Sequence, residues 1–355
     1  MKKSNLIAMV FALAVVIASV VAVLNPKSVS AQANTTEDLV FGQAYQTGEI
    51  PATDFFLYNM TVPKSGRITI AATNSGTEGR IFVYDEAGNE LLYYTLYKGE
   101  TESYSYDLLA GSYTVKFKDR WDYDGSANFS FRISFTDSKE TVSESVTTTN
   151  NEIGFETAYT LGKTITGQLA LNDKSDLYSF KVKNNGYVTV TIRSQQISKY
   201  TVKLIDEENQ VSYSESVETG SHQLKFFAPK GNYYLNILKD NGSGTYSFVA
   251  KSSKLTATKL KKVKRAKYYY SYRSIKARWA KKGDASGYQI QVARNKKFTK
   301  GKKSFDVYSD YYSGYVIPYE KFKKKKYFVR VRYYITVDNH KYYSPWSNAK
   351  SIKLK

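Results

Sequence analysis

Apolar and polar residues alternate in short runs along most of this chain. Ile68-Thr69-Ile70, Arg80-Ile81-Phe82-Val83-Tyr84, Val188-Thr189-Val190, Ser274-Ile275-Lys276-Ala277-Arg278-Trp279 and Gly287-Tyr288-Gln289-Ile290-Gln291-Val292 all repeat with period two. That period puts successive side chains on opposite faces of a pleated strand, one face buried and one wet. Gly, Asn, Asp and Ser bound the runs, as in Asp85-Glu86-Ala87-Gly88-Asn89 and Glu207-Glu208-Asn209, and these are turn formers. No helical period of useful length occurs, so the pattern predicts an all-β protein of small sandwiches. The exception is the N-terminus. Lys2 and Lys3 precede nineteen mostly apolar residues, 6–24, which lead into Asn25, Pro26 and the small residues Ser28 to Ala33. This order reads as a secretory signal peptide over residues 1–33, cleaved after Ala31 or Ala33. An uncleaved anchor is the alternative, because such a run just spans about 30 Å of hydrocarbon.

The middle of the chain repeats. Phe41-Gly42-Gln43-Ala44-Tyr45-Gln46-Thr47-Gly48 recurs as Phe155-Glu156-Thr157-Ala158-Tyr159-Thr160-Leu161-Gly162. Asp54-Phe55-Phe56-Leu57-Tyr58 matches Asp176-Leu177-Tyr178-Ser179-Phe180, Gly111-Ser112-Tyr113 matches Gly231-Asn232-Tyr233, and Phe129-Ser130-Phe131 matches Tyr246-Ser247-Phe248. Two copies of one domain follow, over residues 34–137 and 150–252, joined by a Ser/Thr-rich linker over residues 138–149. Each has about the length needed for its own core.

At Phe155-Glu156-Thr157-Ala158, Asp176-Leu177-Tyr178-Ser179-Phe180 and Pro229-Lys230-Gly231-Asn232-Tyr233-Tyr234, the repeat resembles the bacterial pre-peptidase C-terminal domain, a secreted β-sandwich of jelly-roll or Greek-key type. The resemblance covers roughly residues 37–251. Some members of that family bind calcium or collagen. Here Glu37, Asp38, Glu152, Asp173 and Asp176 form no dense ligand motif, and no metal site is carried over. From about Thr256 the composition shifts to Lys and Tyr, and residues 253–355 resemble a fibronectin type III domain in the Lys-rich form of Gram-positive secreted proteins. The resemblance implies that Trp279 packs the core, that Tyr327 takes the tyrosine-corner position, that Asp338-Asn339 turns the chain before Tyr342, and that Ser344-Pro345-Trp346-Ser347 lies on the closing strand. It also implies a spacer or binding role. The fold expectation is therefore three tandem β-sandwich domains, two jelly-roll or Greek-key repeats plus one fibronectin type III-like sandwich, after a signal peptide.

Charge adds a direction. Residues 254–355 hold 29 of the 52 Lys and Arg but 5 of the 32 acids, a net of +24, and leave residues 1–253 with 23 bases and 27 acids. A field this lopsided attracts polyanions and is screened by salt. Alternating Lys259, Lys261 and Lys276, or Arg330 and Arg332, read as solvated strand faces. The clusters Lys261, Lys262, Lys264 and Arg265, then Lys302 and Lys303, then Lys323, Lys324, Lys325 and Lys326 are expected mostly in loops, where crowded like charges call for an anion. Outside a Gram-positive cell the expected partners are anionic wall polymers or the membrane surface, which Lys meets as a point charge. Nucleic acid would bind only nonspecifically, by counterion release.

A second contact site is expected in the first copy, whose loop Asp119-Arg120-Trp121-Asp122-Tyr123-Asp124-Gly125 is longer than Asp240-Asn241-Gly242-Ser243-Gly244 of the second. Trp121 and Tyr123 would face a polysaccharide or host matrix. Asp122 and Asp124, with Asp119, are a fragment of a calcium loop, read first as an acidic turn. No cofactor is expected otherwise. The chain has no cysteine, hence no disulfide and no thiolate chemistry, which points to bacterial export. His222 and His340 stand far apart, without a zinc-binding, nucleophile-elbow or phosphate-loop motif. The sequence thus reads as a monomeric, non-catalytic binding or adhesion protein at a bacterial surface, with a carbohydrate-binding accessory protein as the alternative and a hydrolase as the remotest one.

Overall fold

The computed structural model describes residues 27–28, 36–120, 125–268, 271–308, 313–318, 322–323 and 325–354. Among these residues no helix forms, and the chain is all-β, in tandem β-sandwich domains. It gathers into two compact units. One comprises Met1–Phe180, Val190–Leu224 and Asn232–Ala250; the other comprises Lys181–Thr189, Lys225–Gly231 and Lys251–Lys355.

In the first unit, the first copy makes two five-stranded sheets. One runs in the order Lys27–Ser28, Ala44–Pro51, Ser126–Asp137, Gly66–Asn74, Thr101–Leu108. The other runs Thr36–Asp38, Phe55–Val62, Gly111–Asp119, Gly79–Asp85, Glu90–Leu96. The chain switches between sheets at most turns, and this crossing closes a core between them. Strand Gly66–Asn74 shows the cause, since its residues alternate strictly between buried and half-buried. Ile68, Ile70, Ile81, Val83, Val115 and Phe117 are fully buried. Tyr45, Phe117 and Phe131 stack at their centre, with centroids 4.3 Å apart for Phe117 and Phe131. Gly48 and its repeat counterpart Gly162 both have positive φ, +71° and +93°, a conformation a side chain resists, which explains the glycine in both repeats.

The second copy forms one seven-stranded sheet around the long strands Gly186–Asp206 and Val211–Ala228. The copies also share contacts. Buried Asp107 accepts from Arg67 of its own copy at 2.5 Å and from Gln168 at 2.8 Å, and Asn172 donates to the Tyr113 hydroxyl at 2.8 Å. Residues 138–150 lie against both copies. Ser65 donates to the Glu144 carbonyl, Val146 N–H to the Ala110 carbonyl, and Thr141 N–H to the Thr166 carbonyl.

The second unit holds the basic sandwich. Leu260–Tyr268, Ser271–Trp279 and Gly314–Ile317 form one sheet. Lys303–Val307, Gly287–Ala293, Lys326–Val337 and His340–Tyr343 form the other, with Lys350–Lys353 also on Lys326–Val337. Trp279 is 1% exposed and packs on Tyr288 at 5.0 Å. The Tyr327 hydroxyl accepts from Lys323 N–H, and Asp338 and Asn339 carry the positive φ of a tight turn between Val337 and His340. The closing strand departs from expectation. Pro345, which has no N–H to give a ladder, splits it into His340–Tyr343 and Lys350–Lys353. Ser344 and Ser347 replace the missing ladder bonds: their hydroxyls accept from the N–H of Tyr333 and Val331, and their own N–H groups donate to the carbonyls of those residues.

Candidate metal centre and cationic face

In the second copy the turn ending at Asp173 feeds strand Ser175–Val182, which carries Asp176. Residues 138–150 bring Glu144 beside both. Its backbone is fixed by Ser65 and by a hydrogen bond from its own N–H to the Glu140 carboxylate. Ligand atoms of Glu144, Asp173 and Asp176 all lie within 4.8 Å of one another, at 5%, 1% and 2% exposure. Asn150 N–H donates to Glu144 Oε1, and Tyr246 donates to Asp176 Oδ2 while pairing with the Tyr178 hydroxyl at 2.8 Å. Glu144 Oε2 and both oxygens of Asp173 complete no hydrogen bond of normal geometry.

Three carboxyl groups in so small a buried volume cannot all ionise without a counter-charge. Burial, then repulsion from Asp173, pushes Glu144 up to about 8. Burial pushes Asp173 up to about 6, with Asn151 and the Lys239 ammonium holding it down only in part. Burial and its two acidic neighbours raise Asp176 well above the carboxylate range. Lys239 supplies one positive charge, but its ammonium is occupied by the carbonyls of Ala170 and Leu171. Unsatisfied carboxylate oxygens converging on one point are the donor set of a hard divalent cation such as calcium, which takes oxygen ligands only. The residues fit such an ion: Glu144, Asp173 and Asp176 would hold it, and it would neutralise their charge and tie residues 138–150 to strand Ser175–Val182. Glu144, Asn150, Asn151 and Lys174 also line an open pocket, a way in from solvent.

This corrects the expectation that no acidic ligand group forms here. Folding, not spacing, brings Asp173 and Asp176 to Glu144. Glu37 and Asp38 lie on strand Thr36–Asp38 of the first copy, where Asp38 accepts from Asn59, and Glu152 is exposed on the wall of the same pocket but is not one of the three clustered ligands. Asp119 is fully buried and accepts from the Thr77 hydroxyl. Trp121, Asp122, Tyr123 and Asp124 lie outside the described residues. Glu144 was missed because it sits in a segment read as linker. A signal did exist between the copies: Tyr178 and Tyr246 stand where the first copy has Phe56 and Phe129, and the Tyr246 hydroxyl reaches Asp176 while that of Tyr178 pairs with Tyr246.

In the second unit, Lys261, Lys262, Lys264 and Arg265 lie on strand Leu260–Tyr268, not in loops, because a bulge between Leu260 and Lys262 turns both Leu260 and Val263 onto the core. Lys302 precedes and Lys303 opens strand Lys303–Val307; Lys323 and Lys325 precede Lys326, which opens Lys326–Val337. All of these are exposed; Lys324 lies outside the described residues. Arg330 and Arg332 are not the freely solvated face expected. Arg330 lies over Phe298 at 4.0 Å and Trp346 at 4.4 Å, and Arg332 over Tyr343 at 3.7 Å and Trp346 at 4.4 Å. Each donates two N–H groups to one carbonyl oxygen, Arg330 to Gln291 and Arg332 to Gln289. Burial draws both down from their ordinary value.

No family model matches the chain, and no curated protein matches it. Among solved structures it is similar to the pre-peptidase C-terminal domain of collagenase from Bacillus anthracis, with 28% identity over 27% of this chain and 94% of that one, at a TM-score of 0.25. It is also similar to the FN1–FN3 domains of chicken CNTN1, with 12% identity over 87% of this chain and 98% of that one, at a TM-score of 0.24. A β-1,2-glucanase from Parabacteroides distasonis shares 13% identity over 54% of this chain and 30% of that one, at a TM-score of 0.23.

Proposed function

We propose that this is an exported, non-catalytic binding or adhesion protein, held noncovalently at a bacterial envelope by contact of its basic C-terminal sandwich with anionic wall polymers. The observation that carries this reading is charge segregation: residues 254–355 hold a net +24, and their described lysine clusters are exposed. A cationic surface of that density concentrates polyanions over roughly one Debye length, about 8 Å at physiological salt. In this reading the two repeats are the effector part, and a divalent cation on Glu144, Asp173 and Asp176 orders the second of them.

The test is sedimentation of the full chain with purified Gram-positive walls across a salt series, before and after teichoic acid is stripped. Binding should fall steeply with salt and vanish from stripped walls. Binding that ignores salt, or survives stripping unchanged, sinks the reading.

A further inference from the structure

The outer face of strand Lys326–Val337 carries Lys326, Phe328, Arg330, Arg332 and Tyr334 in register, opposite Gln289 and Gln291 of the neighbouring strand. Its cations are interleaved with rings. Phe298, Arg330, Trp346, Arg332 and Tyr343 form one continuous stack, and Trp346 reaches it because Pro345 breaks the closing strand there. Stacking fixes the plane of each guanidinium, and the glutamine carbonyl fixes its rotation. What remains is a presented edge. Among the described residues no carboxylate pairs with either arginine and no acceptor takes the second terminal N–H₂ of either. Asp306, the nearby acid, is engaged by Lys341 at 3.0 Å and by Gln289 at 2.9 Å. A purely structural stack would be expected to carry its counter-charge. This one is partly desolvated, and its nearby acid, Asp306, attracts Arg332 without pairing with it.

Two guanidinium forks on alternate residues of one strand stand roughly 7 Å apart. Planar forks suit tetrahedral oxyanions, which they grip with two parallel hydrogen bonds where lysine offers a point charge. We propose that Arg330 and Arg332 form a site for successive phosphodiesters of a linear wall polymer, with Gln289 and Gln291 as positioning residues and Lys326 extending the track. The proposal rests on the reading that the basic sandwich meets anionic wall polymers. It locates the grip in the stacked arginines and leaves the exposed lysine clusters to long-range attraction.

The probe is delipidated poly(glycerol phosphate), titrated against the full chain across a salt series, with polygalacturonate and phosphatidylglycerol vesicles beside it. Three variants are compared with the parent: R330Q/R332Q, R330K/R332K and the lysine variant K302Q/K303Q/K323Q/K325Q. We expect R330Q/R332Q to bind at least tenfold more weakly and to lower the salt slope by about two, one for each lost phosphate contact. R330K/R332K keeps the net charge and should still lose severalfold. The lysine variant, with four charges removed, should lose less affinity than R330K/R332K at physiological salt. Should the arginine variants misfold, the Nε–H resonances of Arg330 and Arg332 in the parent protein should shift saturably with the polymer. Parent-like affinity of a folded R330K/R332K, or unmoved Nε–H resonances, overturns the arginine site while wall retention stands. Tighter binding to polygalacturonate or to vesicles overturns the phosphodiester polymer as occupant. Absence of any polymer binding by the parent sinks the wider reading itself.

Discussion

Replacing Asp173 by Asn should stabilise the protein in the absence of calcium and destabilise it, relative to the parent, in its presence. Asp173 is 1% exposed, and its carboxyl rises from 3.8 to about 6. At about 1.4 kcal/mol per tenfold change in proton affinity, holding that group ionised near pH 7.5 costs about 3 kcal/mol. Asparagine keeps the shape and removes the charge; the attraction to Lys239 is already inside that figure, and burying the amide N–H₂ takes back part of the gain. About 2 kcal/mol should remain, which for a cooperative unit of this size is roughly 5 °C in Tm. Calcium reverses the order, because a ligand at about one hundred times its Kd adds about 2.7 kcal/mol to the parent and little to a variant that has lost a ligand. The assay is thermal unfolding by circular dichroism in EDTA and in calcium, with calorimetric titration of the ion. An Asp173→Asn protein that melts below the parent in EDTA refutes the electrostatic argument. An equal rise of both proteins in calcium refutes the ligand assignment.

Other outcomes are set by the same geometry. Asp173 and Glu144 both bind protons more tightly folded than unfolded, so their contribution to stability is full below about pH 4 and is lost as pH rises through about 6 and then about 8; denaturant titrations in EDTA should show this decline, and calcium should flatten it. Tyr246→Phe removes the hydroxyl that donates to Asp176 and pairs with Tyr178, leaving two buried polar groups poorly satisfied, and should cost about 1–3 kcal/mol in urea unfolding. Trp279→Ala empties the centre of the basic sandwich and should cost about 3–5 kcal/mol, seen as an early transition in a melt monitored by near-ultraviolet circular dichroism.

The fold was legible because its determinants are local. Alternation marks strands such as Gly66–Asn74, the paired motifs mark the repeat, and Asp338-Asn339 marks a tight turn. The sites were less legible because theirs are not. Glu144 reaches Asp173 and Asp176 only after residues 138–150 dock on Ser65 and Ala110, contacts no spacing rule encodes. Arg330 and Arg332 look like any solvated face until Phe298 and Trp346 arrive from loops between strands, and Trp346 arrives because a proline breaks regularity. The lysines of Leu260–Tyr268 read as loop residues because Leu260 and Val263, three apart, show no period of two until a bulge brings them to one face.

The docking of residues 138–150 makes the repeat indivisible. The natural place to cut two copies apart is the Ser/Thr-rich stretch between them, yet a cut after Glu144 leaves that carboxylate on one fragment and Asp173 with Asp176 on the other. Any such cut also strips Asp107 of Gln168 and Tyr113 of Asn172. Neither half of the pair can therefore be transplanted, deleted or shuffled alone without taking a piece of its neighbour.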